Sequence, residues 1–288
     1  MSMAEAIKTS RRGRRGDDAR QAWSFVWLIL PLTVLYGIFA LLPLGVILRF
    51  SIANGFENFR AVLGSPLLLR VATNTLVISL ATTAITLALA IPVAAALWRA
   101  GPRLHSLIMA FVLLPFWTAV LIKNFAWAIL LQDNGVVNGL LQAAGFGPFT
   151  LLHNRPAVLI GMVHFVLPYA IFPIYTAMRE IDRRIERAAR SMGAGTPSVI
   201  WHVTLPLIMP GIAAAALLVF IVSTGFFITP VILGAPSDMM ISNLIDYYVH
   251  ELIDFNNAAA LAVLVALLLA PVIFLQQRVA RRGPYGVG

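Results

Sequence analysis

Five histidines, no cysteine and a scatter of hydroxyl and amide side chains are the groups in this chain with chemistry to offer. His105, His153, His164, His202 and His250 are too far apart in sequence to form a ligand set by spacing, and each reads as a single hydrogen-bonding residue. His250-Glu251 begins like a zinc-protease helix, but Asp254 stands where the second histidine would fall. Without cysteine there is no thiolate metal site, iron–sulfur cluster or disulfide. GxxxxGK[ST], GxSxG and GxGxxG are absent, so the chain has no phosphate loop or nucleophile elbow of its own. The remaining candidates are polar groups within apolar surroundings: Asn74, Thr75, Trp117, Thr118, Lys123, Asn124, Ser223, Thr224 and Thr229. In hydrocarbon such groups face protein or a water-filled path, so Asn74, Trp117, Thr118, Asn124, Ser223, Thr224 and Thr229 are candidates for lining a translocation route. Helix-to-helix hydrogen bonding is the simpler role for any one Ser or Thr. Lys123 is the only charge well inside an apolar run; it is expected to snorkel outward or to pair with an acid.

The elements that carry these groups are membrane helices. Of 288 residues 60% are apolar and 11% charged, which excludes both an ordinary soluble domain and a disordered chain. Six runs are long enough to span a bilayer, near 23–48, 71–97, 107–131, 158–177, 209–233 and 258–275. Stretches such as 87–97 are apolar on every face, which reads as helix and not barrel strand. The chain divides into a basic tail 1–21, a first span within 22–50, a five-helix core 67–277 and a tail 278–288. With the amino terminus inside, sixteen Lys and Arg fall on the cytoplasmic side and four on the other, so both termini and the loop 179–206 are expected in the cytoplasm. The net charge of +9 is then a topology signal rather than a nucleic-acid footprint. Arg11-Arg12 does not open an export signal, because the apolar run that follows is too long and lacks a cleavage pattern. No acid lies within the six spans, which argues against an ion-coupled carrier, and no catalytic constellation supports a membrane enzyme. Around 225–230, Ser, Thr, Gly and Pro occur together, and a functional bend is expected there.

The loop 179–206 reads as helix, break, helix. Ile181, Ile185, Ala188, Ala189 and Met192 form an apolar stripe, with Arg183, Arg184, Arg187 and Arg190 on the other side. Gly193 and Gly195 end the first helix; Thr196 and Pro197 start the second, and Pro206 is expected to close it. Ala188, Ala189, Gly193, Val203, Leu205 and Pro206 fall on the spacing of the EAA loop, so the chain resembles the permeases of ABC importers. One position departs: Arg187 stands at the glutamate, and Glu186 is one residue early.

Leu114 to Thr118, Leu121 to Trp127, Asn134-Gly135, Asn138, Leu167 to Tyr169, Phe172 to Tyr175 and Phe226 to Gly234 resemble spermidine/putrescine permeases. That resemblance implies an all-α type-1 permease fold with six transmembrane helices in a bacterial inner membrane. It also implies a second permease subunit, two cytoplasmic ATPase subunits that carry ATP and Mg, an extracytoplasmic solute-binding protein and surrounding lipid. No cofactor on this chain is implied. Related permeases with these motifs move ferric ion, aminophosphonates or oxyanions, and these stand as alternative solutes.

Overall fold

A computed structural model describes the backbone of residues 29–282 and the side chains of 29–278. The basic tail 1–21, the start of the first span and residues 283–288 lie outside the described residues. All regular structure among the described residues is helical. The elements in chain order are α1 (Ile29–Ser51), α2 (Glu57–Leu63), α3 (Pro66–Arg99), α4 (Pro102–Trp117), α5 (Val120–Leu131), α6 (Val136–Ala143) and α7 (Arg155–Arg179). There follow α8 (Arg183–Ser191), α9 (Thr196–Val199), α10 (Leu205–Thr224), α11 (Ile228–Leu233), α12 (Ile241–His250) and α13 (Phe255–Arg282).

Helices α3, α7 and α10 pack on one another and hold the main core, which includes Ile78, Ala90, Met162, Ile171, Ile174, Ile208 and Val219. Without a hydrophobic drive between helices in lipid, close approach and dispersion hold such a bundle together. The sequence supplies small contacts for it. Thr75, Ser79, Thr82, Thr83 and Thr86 form a buried face of α3, and Thr75 and Thr83 return their hydroxyls to the carbonyls of Val71 and Ser79. Gly211 of α10 meets Ala177 and Pro173 of α7, and Gly161 of α7 meets Leu233, Thr229 and Asn124. A second cluster joins Val62 and Val71 to Ile241, Leu244, Ala260 and Leu261, seating α2, α12 and α13. By contrast, α1 stands apart from the bundle with most of its length exposed, and meets it near Phe50 and Phe255.

Two of the expected spans are not continuous. The third is broken: α4 and the following α5–α6 segment meet at 100°, with Thr118 and Ala119 extended between them. The fifth begins earlier than its apolar run. α9, a π turn at Ile200–Thr204 and α10 form one rod from Thr196 to Thr224, so Pro206 lies within the first turn of α10 and does not close the loop helix. The π turn accommodates the proline: the Leu205 N–H reaches back to the Ile200 carbonyl, and the ring then follows without a clash that would break the rod. At the far end the bend expected near 225–230 is present, with α10 ending at Thr224 and α11 starting at Ile228. Asn243 Nδ2 donates to the Phe227 carbonyl at 3.0 Å and satisfies the open backbone there.

Candidate functional site

The loop between α7 and α10 is built by local rules. Asp182 caps α8, its carboxylate accepting from the Arg184 N–H at 2.8 Å. The helix ends at Gly193, whose φ of +88° is left-handed, with Ala194 N–H bonded to the Ala189 carbonyl and Gly193 N–H to the Arg190 carbonyl. This is the Schellman pair of bonds, and it explains why glycine is required there. Gly195, not Thr196, is the N-cap of α9, and Thr196 makes no capping bond.

Within α8 the expected sides need correction. The stripe is only partly inward: Ala189 is buried, while Ala188, Ile185 and Met192 are exposed, Met192 by 83%. Arg183 is exposed like Arg184, Arg187 and Arg190, yet its side chain does not end in solvent. It turns onto the end of α3, donating to the Trp98 carbonyl at 2.6 Å with its guanidinium 5.3 Å from the Trp98 ring centre. Glu186 is also turned inward. Its Oε1 accepts from Thr204 Oγ1 at 2.9 Å and lies 3.6 Å from Arg99, leaving the side chain 13% exposed. Arg187, the residue at the family's glutamate position, is exposed, as are Arg184 and Arg190. Trp201 is 67% exposed and Ile200 also reaches the surface, so the loop presents apolar and cationic groups together. Val203 and Leu205 are half-buried and Pro206 is exposed beside them.

A second group surrounds the broken span. Ending α4 in hydrocarbon leaves carbonyls that must be satisfied within the protein. Thr118 Oγ1 donates to the Leu114 carbonyl at 3.2 Å, and Lys123 Nζ donates to the Pro115 carbonyl at 3.0 Å. Lys123 therefore does not snorkel away, and it pairs with no acid among the described residues. It places its ammonium at the negative end of the α4 dipole and 4.4 Å from the ring centre of Phe165. Phe165 stacks with Tyr169 at 5.9 Å and meets Phe226 edge-on at 5.0 Å; Phe116 reaches Tyr169 at 5.7 Å. Nearby, Trp127 Nε1 donates to His164 Nδ1 at 3.0 Å.

The candidate path residues separate into three environments. Trp117 is 84% exposed, next to the half-buried Thr118. Asn124, Ser223, Thr224 and Thr229 are buried within the chain. Asn124 and Thr224 donate to their own helix carbonyls at Val120 and Phe220, while the hydroxyls of Ser223 and Thr229 have no partner among the described residues. Asn74 belongs to a tie at the end of the bundle away from the loop: it donates to the Ser237 carbonyl at 2.6 Å and accepts from Arg155 at 2.9 Å, and Arg155 pairs with Asp238 at 3.1 Å. Asp246 pairs with His250, and Asp254 caps α13 through Asn257, so these acids are engaged in local structure.

Trp98, Arg99, Arg155 and Thr204 carry these junctions and were not distinguished by sequence. Arg99 and Glu186 are 87 positions apart, and no local spacing announces such a pair.

Comparison with known proteins agrees with this architecture. The description "Binding-protein-dependent transport system inner membrane component" matches residues 1–283. The spermidine/putrescine transport system permease protein PotB of Haemophilus influenzae is 33% identical over 261 residues, covering 85% of this chain and 88% of that protein. PotB of Escherichia coli K12 is 28% identical over 227 residues, 78% of this chain and 82% of its own. A chain in the crystal structure of a bacterial alginate ABC transporter, in complex with alginate pentasaccharide-bound periplasmic protein, shares the fold with a TM-score of 0.80. It is 20% identical and the match covers 92% of this chain and 96% of that one. With its helical bundle, its loop glycine and its match over nearly the whole length, the chain belongs to the binding-protein-dependent transport system inner membrane components, and is a permease subunit of an ABC importer.

Proposed function

We propose that this permease imports polyamines of the spermidine and putrescine type, in a complex with a second permease, two ATPase subunits and an extracytoplasmic solute-binding protein. The single observation that carries the solute class is the 33% identity to the Haemophilus influenzae PotB across 85% of the chain. The aromatic group of Phe116, Phe165, Tyr169 and Phe226 supports it chemically, since π-faces stabilise alkylammonium groups. ATP and Mg belong to the partner ATPase in this reading. The loop 179–206 is its dock, through exposed Arg187, Ala188, Met192 and Trp201, and the basic asymmetry of the sequence puts that loop and both termini in the cytoplasm.

Lys123 favours one second reading. A cation held in a span without an acid partner among the described residues suits an anionic solute, such as an oxyanion. Uptake of labelled spermidine by cells that have lost their own polyamine importers, supplied with this permease and its genomic partners, separates the two. Saturable uptake competed by putrescine and indifferent to molybdate supports the polyamine reading. Molybdate uptake with no spermidine uptake replaces it with the second.

A further inference from the structure

One turn of α8 is gripped from two directions. Glu186 Oε1 accepts from Thr204 Oγ1 at 2.9 Å, which ties α8 to the π turn leading into α10. The same oxygen lies 3.6 Å from Arg99 at the end of α3. Arg183, one turn earlier, donates to the Trp98 carbonyl at 2.6 Å, and the guanidinium groups of Arg183 and Arg99 lie 5.3 and 5.6 Å from the Trp98 ring centre. The inward half of this nine-residue helix is thus joined to α3 and α10, two of the three helices that form the main core. Its outward half presents Arg187 and Ala188, with the exposed Met192 just past its end. Successive helical residues are about 100° apart, so Glu186 cannot keep these contacts and also reach a partner on the side that Arg187 faces.

We infer that Glu186 is a positioning residue: its bonds to Thr204 and Arg99 transmit displacement of the loop helix to α10 and α3, and it does not contact the ATPase. The inference rests on the reading of the loop as an ATPase dock. A part-buried hydrogen bond from Thr204 and an ion pair with the partly exposed Arg99, both on one carboxylate oxygen, make a short strut, and a load applied at Arg187 or Met192 reaches both spans through it. Without the strut α8 remains attached through the chain and the Arg183 contact, so docking survives while transmission falls.

The test uses the complete reconstituted transporter and reads ATPase stoichiometry together with solute imported per ATP hydrolysed. Glu186→Ala and Thr204→Val are each expected to keep the ATPase bound and to lower the import ratio about fivefold or more, a typical coupling between sites. Thr204→Ser keeps the hydroxyl and is expected to behave as wild type, and the double variant should be no worse than Glu186→Ala. An unchanged ratio in Glu186→Ala, or loss of bound ATPase in Glu186→Ala with Thr204→Val normal, overturns the inference; the second result would assign Glu186 to the partner. A spin label on Met192→Cys in the full-length permease alone gives a readout independent of the dock, the chain having no native thiol. Greater label mobility in both Glu186→Ala and Thr204→Val is expected, and unchanged mobility overturns the strut. Should wild-type ATPase fail to co-purify, the docking reading falls, and the label still decides the strut.

Discussion

Replacing Gly211 by alanine tests the packing that brings the loop and the spans together. A methyl at Gly211 would lie 2.5 Å from Cβ of Ala177 and 3.1 Å from the carbonyl oxygen of Pro173. Neither atom can swing aside, because one is a Cβ fixed to its backbone and the other is backbone. Carbon atoms sit comfortably at about 3.5–4.0 Å, so α7 and α10 must part locally by roughly 1 Å. A gap of about 0.5–1 Å forfeits a quarter to a half of each contact at about 0.1–0.2 kcal/mol, and a seam of roughly 30 atom pairs then loses about 1–3 kcal/mol. That agrees with the usual cost of overpacking, about 1–3 kcal/mol. The folded-to-unfolded ratio should fall about 5- to 150-fold. Reversible unfolding in mixed micelles, followed by tryptophan fluorescence, measures it. Gly139→Ala on α6 is the control, since nothing lies within 4 Å of a methyl there. Because α7 and α10 flank the loop, uptake by Gly211→Ala should also decline while membrane insertion continues. Unfolding of Gly211→Ala at the same midpoint as wild type and Gly139→Ala would refute the close approach of α7 and α10.

Gly193→Leu has open space around it but a φ of +88°, so its cost is backbone strain of about 1–2 kcal/mol; transport should fall with insertion intact, and Gly193→Asn should retain most activity. Arg187→Glu restores the family pattern in sequence, yet Arg187 is exposed and Glu186 is engaged inside, so substrate-stimulated ATP hydrolysis by the reconstituted complex should drop and the loss should lessen with salt. Full stimulation in that variant would show that the usual glutamate contact operates here. Arg155→Gln leaves the buried Asp238 carboxylate with the Ala235 N–H as its remaining bond and should cost about 1–3 kcal/mol in the same unfolding assay. Ala194→Cys should resist an impermeant thiol reagent in intact cells and react once the membrane is opened; labelling in intact cells would reverse the proposed topology.

Hydropathy exposes membrane helices because a spanning run must be predominantly apolar along its whole length, whatever its neighbours. For the same reason it misses breaks: the run 107–131 stays apolar enough to span despite Thr118, Lys123 and Asn124, and only the structure shows a 100° turn inside it. Pro115 and Thr118 were visible, but a proline in a membrane helix can kink, tilt or pass unnoticed. What decides for a break is Lys123 returning to the Pro115 carbonyl, together with the aromatic faces that receive its ammonium. The same holds at 225–230, where the local composition announced a bend and Asn243, from a later helix, completes it.

The coupling loop divides along the same physical line. Chain reversal is governed by residues within a few positions, so Gly193 and the helix–break–helix pattern can be read directly from residue types, whereas the caps at Asp182 and Gly195 appear only in the structure. Amphipathic spacing from Ile181 to Met192 likewise indicates a helix, which the structure bounds at Arg183–Ser191. It does not say which side meets which neighbour, since a short helix with both alanines and arginines on its surface can be rotated at little cost. The reach of Arg183 back onto Trp98, the turning of Glu186 inward and the exposure of Arg187 follow from Trp98, Arg99 and Thr204, brought there by α3 and α10. Among the intramembrane polar residues, identity alone separated none of the path candidates. Burial of Asn124, Ser223 and Thr229, exposure of Trp117 and engagement of Asn74 with Arg155 are properties of the packed bundle, because whether a polar group needs a partner depends on what the other helices leave beside it.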